Sequence, residues 1–422
     1  MKPIVLFLLG ISGLFISAGC RPKSTIVELT PMQDSIKQER SDQQDQQTSD
    51  IPRAVNDFTF SLYEQLFNKH DNLVYSPYSI STALAMTWAG ARANTAKEMS
   101  KVLHFSGPPE NIHNGFKSLT GQLEQVKETD LTMLVITNAL WAQKDYRFLS
   151  EYTDLTANFY NAGMNNLDFG NPVTCEQSRK IINQWVEDRT NDKITELIGP
   201  GMLNPLTRLV LTNAIWFTGS WLHPFDEQTT SKGEFRLSPG TTATTTYMNQ
   251  LSVFGYYEDE VIQAVVLPYE GNDIAMLVIL PVKLTDLKQP GSAVSSALFY
   301  KIISNLSRIE VSLSMPRFQS ETEINLNQPL QSMGMQDAFN READFSGMTG
   351  NKDLFIDFVI HKAFIDVNEK GTEAAAATGV SMALKSAYMG EPVKFIADHP
   401  FYYLIYHRET GLILFYGRFI KP

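Results

Sequence analysis

Asn368-Glu369-Lys370-Gly371-Thr372-Glu373-Ala374-Ala375-Ala376-Ala377-Thr378-Gly379-Val380-Ser381-Met382-Ala383-Leu384-Lys385-Ser386-Ala387-Tyr388-Met389-Gly390-Glu391-Pro392 lies between a strand-like run ending at Val367 and another beginning at Val393. A connection this long without structure of its own is uncommon in a compact domain and usually has a function. From Thr372 to Thr378 nearly every residue is small and uncharged. Alanine favours a surface helix, yet Gly371 and Gly379 bracket the run, no apolar stripe would dock it, and two isolated turns are marginal in water. An extended conformation suits the pattern better. Thr372, Ala374, Ala376 and Thr378 would then share one face, with Glu373 on the wetter one. Such a strand could slide between two existing strands where bulky or charged side chains would block entry.

Working outward, residues 53–422 read as one α+β domain. Val55, Phe58, Leu62 and Leu66 recur at helical spacing over Ala54–Asn68. Ser76-Pro77 ends that run, and a second helix starts near Ser79. Further helices fit Ala93–Leu103, Ile112–Val126, Glu151–Phe159 and Glu176–Arg189. Thr132–Ala142, Leu209–Phe217 and Leu354–Val367 read as strands. Ile262–Leu267 and Ile274–Leu280 flank the turn Glu270-Gly271-Asn272-Asp273, and Phe401–Tyr406 and Leu412–Tyr416 flank Glu409-Thr410-Gly411, as hairpins do. Helices dominate the first half and antiparallel strands the second, without the βαβα alternation of a doubly wound sheet.

The first fifty residues differ in kind. Lys2, the apolar run Ile4–Ile16 and the small residues Ser17-Ala18-Gly19 mark residues 1–19 as a secretory signal. Leu14 to Cys20 resembles a bacterial lipoprotein cleavage box, which implies that Cys20 becomes the first residue and carries lipid. That likeness implies a lipid-anchored protein of the bacterial cell envelope, at the outer membrane or cell surface. Residues 20–52, polar and rich in Gln, read as a flexible tether spanning on the order of 30 Å. Cys175 is then left as a small core residue.

The 422 residues carry 35 Lys+Arg against 46 Asp+Glu, a formal charge of −11, which argues against a nucleic-acid partner. Two Cys exclude a disulfide scaffold. The seven His form no H-E-x-x-H pair and have no Cys cluster to join them, so no metal is expected. Neither a nucleophile elbow nor a phosphate-binding loop is present, so no enzyme chemistry and no cofactor is expected.

Val367-Asn368-Glu369-Lys370-Gly371-Thr372-Glu373-Ala374-Ala375-Ala376 resembles the hinge of an inhibitory serpin, and the likeness extends over about Asp57–Lys421. Tyr75-Ser76-Pro77-Tyr78-Ser79-Ile80, Leu211-Thr212-Asn213-Ala214-Ile215-Trp216-Phe217, Met315-Pro316-Arg317-Phe318, Asp344-Phe345-Ser346-Gly347-Met348 and the close from Asp398 to Phe419 fit in order. The resemblance implies three β-sheets, eight or nine helices and an exposed reactive loop at about 368–392. It implies a monomer that traps a target serine protease as a covalent acyl complex and inserts the cut loop into its large sheet. Counting sixteen positions from Glu369 places the reactive bond at Lys385–Ser386, suited to trypsin-like enzymes; Met382, Leu384 and Tyr388 could bait others, cysteine proteases included. Ser76, Ser79, Asn213 and His361 fall where the family has a polar shutter beneath the sheet, and Trp216 where it has a tryptophan at the breach. A non-inhibitory serpin acting as a binding or chaperone module is the alternative, although such members often carry bulky or charged hinge residues.

Overall fold

Two burial patterns divide the strands of this protein. Ile274–Pro281, Phe401–His407 and Ile413–Phe419 are buried at every position, as strands covered on both faces must be. Phe318–Asn325 alternates strictly between buried and exposed, the mark of a sheet with one face to the core. The computed structural model of the chain describes residues 51–69, 71–126, 132–284, 287–288, 294–372 and 391–422, which belong to one unit spanning residues 45–422. Nine α-helices lie among the described residues.

The fold has three sheets, two of them joined. Strand Thr241–Glu258 is 18 residues long and pairs with Ser231–Ser238, with Ser307–Pro316 and, at its end, with Ile262–Pro268. It thereby links two sheets into one nine-stranded network. The third sheet has six strands: β1 (Thr132–Gln143), β2 (Gly163–Leu167), β3 (Leu209–Ser220), β4 (Phe318–Asn325), β5 (Ile360–Val367) and β6 (Gly371–Thr372). Their spatial order is β4-β5-β6-β3-β1-β2.

Helix α1 runs through residues 51–66. Ile51, assigned to the tether by its polar surroundings, is helical and only 1% exposed. It packs so closely on Gly115 that a Cβ there would lie 2.4 Å from the Ile51 Cγ1. Helix α2 (Pro77–Ala89) begins two residues before the expected start near Ser79. Ser76 caps it, its Oγ accepting from the Ser79 N–H at 3.2 Å, and Pro77 fills the first position, where no N–H is needed. Beneath the six-stranded sheet α2 is buried along most of its length. The expected hairpin at 270–273 forms as a four-residue loop: the Tyr269 N–H donates to the Ile274 carbonyl at 3.0 Å to close it, and Gly271 and Asn272 take positive φ within it. Leu354–Val367 departs from expectation, since only Ile360–Val367 is strand. Among the described residues, 354–359 has no strand beside it to pair with.

Candidate functional site

The hinge begins where β5 ends. Asn368–Gly371 is a tight reversal in which the Asn368 N–H donates to the Gly371 carbonyl at 2.9 Å and the Gly371 N–H to the Asn368 carbonyl at 3.2 Å. Asn368 Oδ1 also accepts from the Lys370 N–H at 3.0 Å, a side-chain turn that Asn forms readily. The reversed chain then enters the sheet. Thr372 pairs with Val367 on one side and Gly219 on the other, and Gly371 pairs with Ser220. A Cβ at Gly371 would sit 1.9 Å from the Gly219 carbonyl oxygen, so only glycine permits this approach. Among the described residues, β3 and β5 pair nowhere with each other; the two residues of β6 are all that bridges them.

A clamp holds the hinge. Three successive carbonyls are engaged by the segment after β3: Asn368 O by the Trp221 indole N–H at 2.9 Å, Glu369 O by the Phe225 N–H at 2.9 Å, and Lys370 O by the Trp221 N–H at 2.8 Å. The Trp221 ring stacks on Tyr269 with centroids 4.5 Å apart. Tyr269 in turn shares a 2.6 Å hydrogen bond with the Thr372 hydroxyl. Glu369, 7% exposed, accepts from the Thr230 hydroxyl at 2.9 Å and lies 4.0 Å from Arg317. At about 0.5–1.5 kcal/mol net for each hydrogen bond, the clamp supplies several kcal/mol.

Farther along the sheet, His361 on β5 meets the cap of α2. Its Nε2 accepts from the Ser76 N–H at 3.0 Å. That bond uses the Nε2 lone pair, so the neutral ring carries its proton on Nδ1. Burial opposes the charged form and lowers the pKa to about 3. Ser76 and Ser79 are buried beside it, bringing together three of the four predicted shutter residues. The fourth, Asn213, lies on β3 with its backbone opposite Asn138; its side chain falls outside the described residues.

Beyond the shutter the sheet opens onto a cavity of about 400 Å³ lined by Ile80 and Leu84 of α2, Leu209, Phe345, Met348 and Phe358. Leu206, 80% exposed, and Phe355, 52% exposed, also line it. At about 24 cal/mol per Å³ a dry void of that size would cost on the order of 10 kcal/mol, and solvent entry lowers the figure. Among the described residues, the lining of this cavity is largely apolar.

Trp216 was expected at the breach, but the indole bonded to the hinge belongs to Trp221, five residues on. Trp216 is paired through its backbone with Val135, and its side chain lies outside the described residues. A signal was present: the hinge joins the sheet at its end, and Trp221 directly follows the last residue of β3. Glu373, Ala374, Ala375, Ala376, Lys385 and Ser386, like Cys20, lie outside the described residues, whereas Glu369, Gly371 and Thr372 sit together at the clamp. Cys175 is buried, its thiol donating to the Phe169 carbonyl, and burial pushes its pKa up.

Among the described residues, the six-stranded sheet has a two-residue strand between β3 and β5, a buried hinge at one end and a cavity farther along. Residues 53–422 match the serpin family, serine protease inhibitors, and the chain belongs to it. It is 40% identical over 363 residues to the leukocyte elastase inhibitor of Bos taurus, covering 84% of this chain and 94% of that one. An uncharacterized serpin-like protein of Thermococcus kodakarensis is 39% identical over 378 residues, covering 89% and 87%. Among solved structures, Serpin48 of the insect Tenebrio molitor, described as highly specific, superposes with a TM-score of 0.75 at 33% identity, over 88% of this chain and 98% of its own.

Proposed function

We propose that this protein inhibits serine proteases of trypsin-like specificity, and cysteine proteases as a second class, by suicide trapping. One observation carries the reading: β3 and β5 are bridged only by Gly371–Thr372 among the described residues. The residues that follow Thr372 are small enough to extend that strand. Strand addition to a sheet is an established recognition mode, with serpin loops among its known cases.

In the reaction the protease serine Oγ attacks the Lys385 carbonyl carbon. The Lys385–Ser386 peptide bond breaks, the new Ser386 amine leaves with a proton from the protease histidine, and an ester joins Lys385 to the enzyme. Freed from Ser386, the hinge side extends β6 down the sheet, carrying the acylated protease with it. About 12–15 residues at roughly 0.5–1.5 kcal/mol per hydrogen bond supply on the order of 10 kcal/mol. Protease stability is of the same order, about 5–15 kcal/mol, so distortion of its active site before the ester hydrolyses is energetically feasible. Lipid on Cys20 would hold the inhibitor at the bacterial envelope while residues 21–50 keep it off the bilayer.

Mixing the protein with trypsin and running a denaturing gel tests the proposal. A covalent band at the summed mass and a released peptide beginning at Ser386 are expected. Cleavage with full recovery of trypsin activity and no such band would refute it.

A further inference from the structure

We infer that one exposed sheet face, with Leu251 and Ile396 at its margins, is a second contact surface for the target protease, engaged while the reactive loop fills the protease cleft. The inference rests on the inhibitory reading and deepens it. The loop decides which peptide bond is cut; this face decides how readily one protease is captured rather than another with the same cleft.

Both ends of the reactive loop lead to the same sheet. At the hinge, Glu369 bonds through its carbonyl to the Phe225 N–H and through its carboxylate to the Thr230 hydroxyl. That same segment is fixed to strand Thr241–Glu258. Asn249 Nδ2 donates to the Thr229 carbonyl at 2.7 Å, and Gln250 Nε2 donates to the His223 and Pro224 carbonyls at 2.9 Å each. At its other end the loop leads into strand Val393–Ile396, which runs parallel to Ser307–Pro316. Ser307–Pro316 in turn pairs with Thr241–Glu258. A protein holding the loop therefore stands beside these three strands.

Register shows what that protein would meet. Asn249, Ser314 and Ile396 form one row across the three strands, and Leu251, Ser312 and Lys394 form the next. Partners across a ladder point to the same side, so all six share one face. The opposite face is core, with Met248, Leu313 and Phe395 buried. On the outer face Leu251 is 57% and Ile396 45% exposed. In these rows the middle strand presents Ser312 and Ser314, a low floor with an apolar side chain on each margin. The outer strands lie about 10 Å apart, two ladder spacings, a width that one docked partner can cover. Size points to the protease as that partner. Protease–inhibitor interfaces employ about 20–30 residues a side, more than an extended loop in a cleft supplies, so the surface beside the loop ends has to contribute.

The double variant Leu251→Gln with Ile396→Gln tests this by neutral changes that leave long-range charge steering alone. Both positions are exposed, so the melting temperature should stay that of wild type. Trypsin whose catalytic serine is replaced by alanine should bind the double variant at least about fivefold more weakly than wild type. Active trypsin should form its covalent complex more slowly by the same factor. The number of inhibitor molecules consumed per trapped enzyme should not change, because strand addition is untouched. Val173→Gln, exposed on the helix Pro172–Arg189, should alter none of these. Equal affinity of wild type and double variant for inactive trypsin overturns the inference. So does a wild-type dimer that the double variant dissolves, since the face would then belong to a second copy. If wild type binds inactive trypsin but forms no covalent band with the active enzyme, the inhibitory reading fails separately, and the affinity comparison still decides the role of the face. Wild type that binds no inactive trypsin overturns both.

Discussion

The nine-stranded network and the six-stranded sheet are made of the same kinds of residue and do opposite things. In the first, Phe401–His407 pairs over its length with Ile274–Pro281 on one side and Ile413–Phe419 on the other. Its aromatic side chains lock into one cluster, with the rings of Phe318, Phe401 and Phe419 meeting in tilted and edge-on contacts at centroid distances of 4.9–5.9 Å. In the second, β3 and β5 flank, among the described residues, a strand of two residues. Complete pairing and dense packing make a scaffold; under the proposed function, the short pairing of the second sheet is where a strand would be added. The two are neighbours: Phe318 at the start of β4 packs against Phe401, so the nine-stranded network anchors one edge of the six-stranded sheet.

Poisoning the incomplete sheet should have the largest effect. Thr372 is 1% exposed against Tyr269, and Thr372→Arg would force a far larger, charged side chain into that buried place, which costs several kcal/mol. Such a variant should still be cut, yet the fraction of trypsin trapped should fall at least about tenfold, read from the covalent band and residual activity. Equal inhibition by this variant would sink the insertion mechanism. Completing the sheet should act in the opposite direction. If cleavage adds on the order of 10 kcal/mol, the melting temperature should rise by roughly 15 °C, given about 2–4 °C per kcal/mol for smaller domains and less for one this size. Calorimetry of intact and nicked protein decides it, and coincident melts would mean that nothing was inserted.

The same contrast explains what the sequence could disclose. Some strands of the nine-stranded network are unbroken apolar runs, such as Ile274–Leu280, and the sequence pattern discloses them. Phe318–Asn325 was not, because its core-facing residues are Phe318, Ser320, Thr322 and Ile324, and two polar residues hide the alternation. The Thr-rich start of Thr241–Glu258 conceals its strand in the same way. Residues 354–359 look like strand and are not, because pairing depends on a neighbour that no local pattern reveals. For the site, Glu369, Gly371 and Thr372 were readable as a small, flexible hinge. Tyr269, Thr230 and Trp221 were not, since each meets the hinge from a segment more than a hundred residues earlier in the chain.

A proton should distinguish the two regions with a smaller effect. His361 is neutral in the fold with its pKa lowered to about 3 by burial, against about 6.5 when unfolded. Below pH 6.5 the unfolded chain binds the extra proton and the folded one does not, so stability falls as pH drops, until about pH 3. Between pH 7 and 5 the loss is about 2 kcal/mol for this residue. Carboxylates remain ionised through most of that window, whereas His113, lowered to about 4 by burial, contributes in parallel. His361→Gln keeps an acceptor for the Ser76 N–H and should reduce the slope of unfolding free energy against pH by about one proton. An unaltered slope would mean that the ring is already charged, or solvated, in the native sheet.

The smallest expected effect lies in the clamp. Trp221→Phe keeps a ring to stack on Tyr269 but removes the N–H bonded to the Asn368 carbonyl. Of the three hinge carbonyls, only that of Asn368 is held by the indole; the other two are bonded by backbone N–H groups and survive the change. The uncut protein should therefore lose about 1 kcal/mol, the net value of one hydrogen bond, seen as a lower urea midpoint with an unchanged slope. The cleaved form separates two roles for the residue. If the indole serves the hinge turn itself, which persists as β6 lengthens, the cut protein should lose a similar amount. If it serves only the uncut state, cleavage should erase the difference, and Trp221 would be a latch on the metastable form rather than part of the turn's construction.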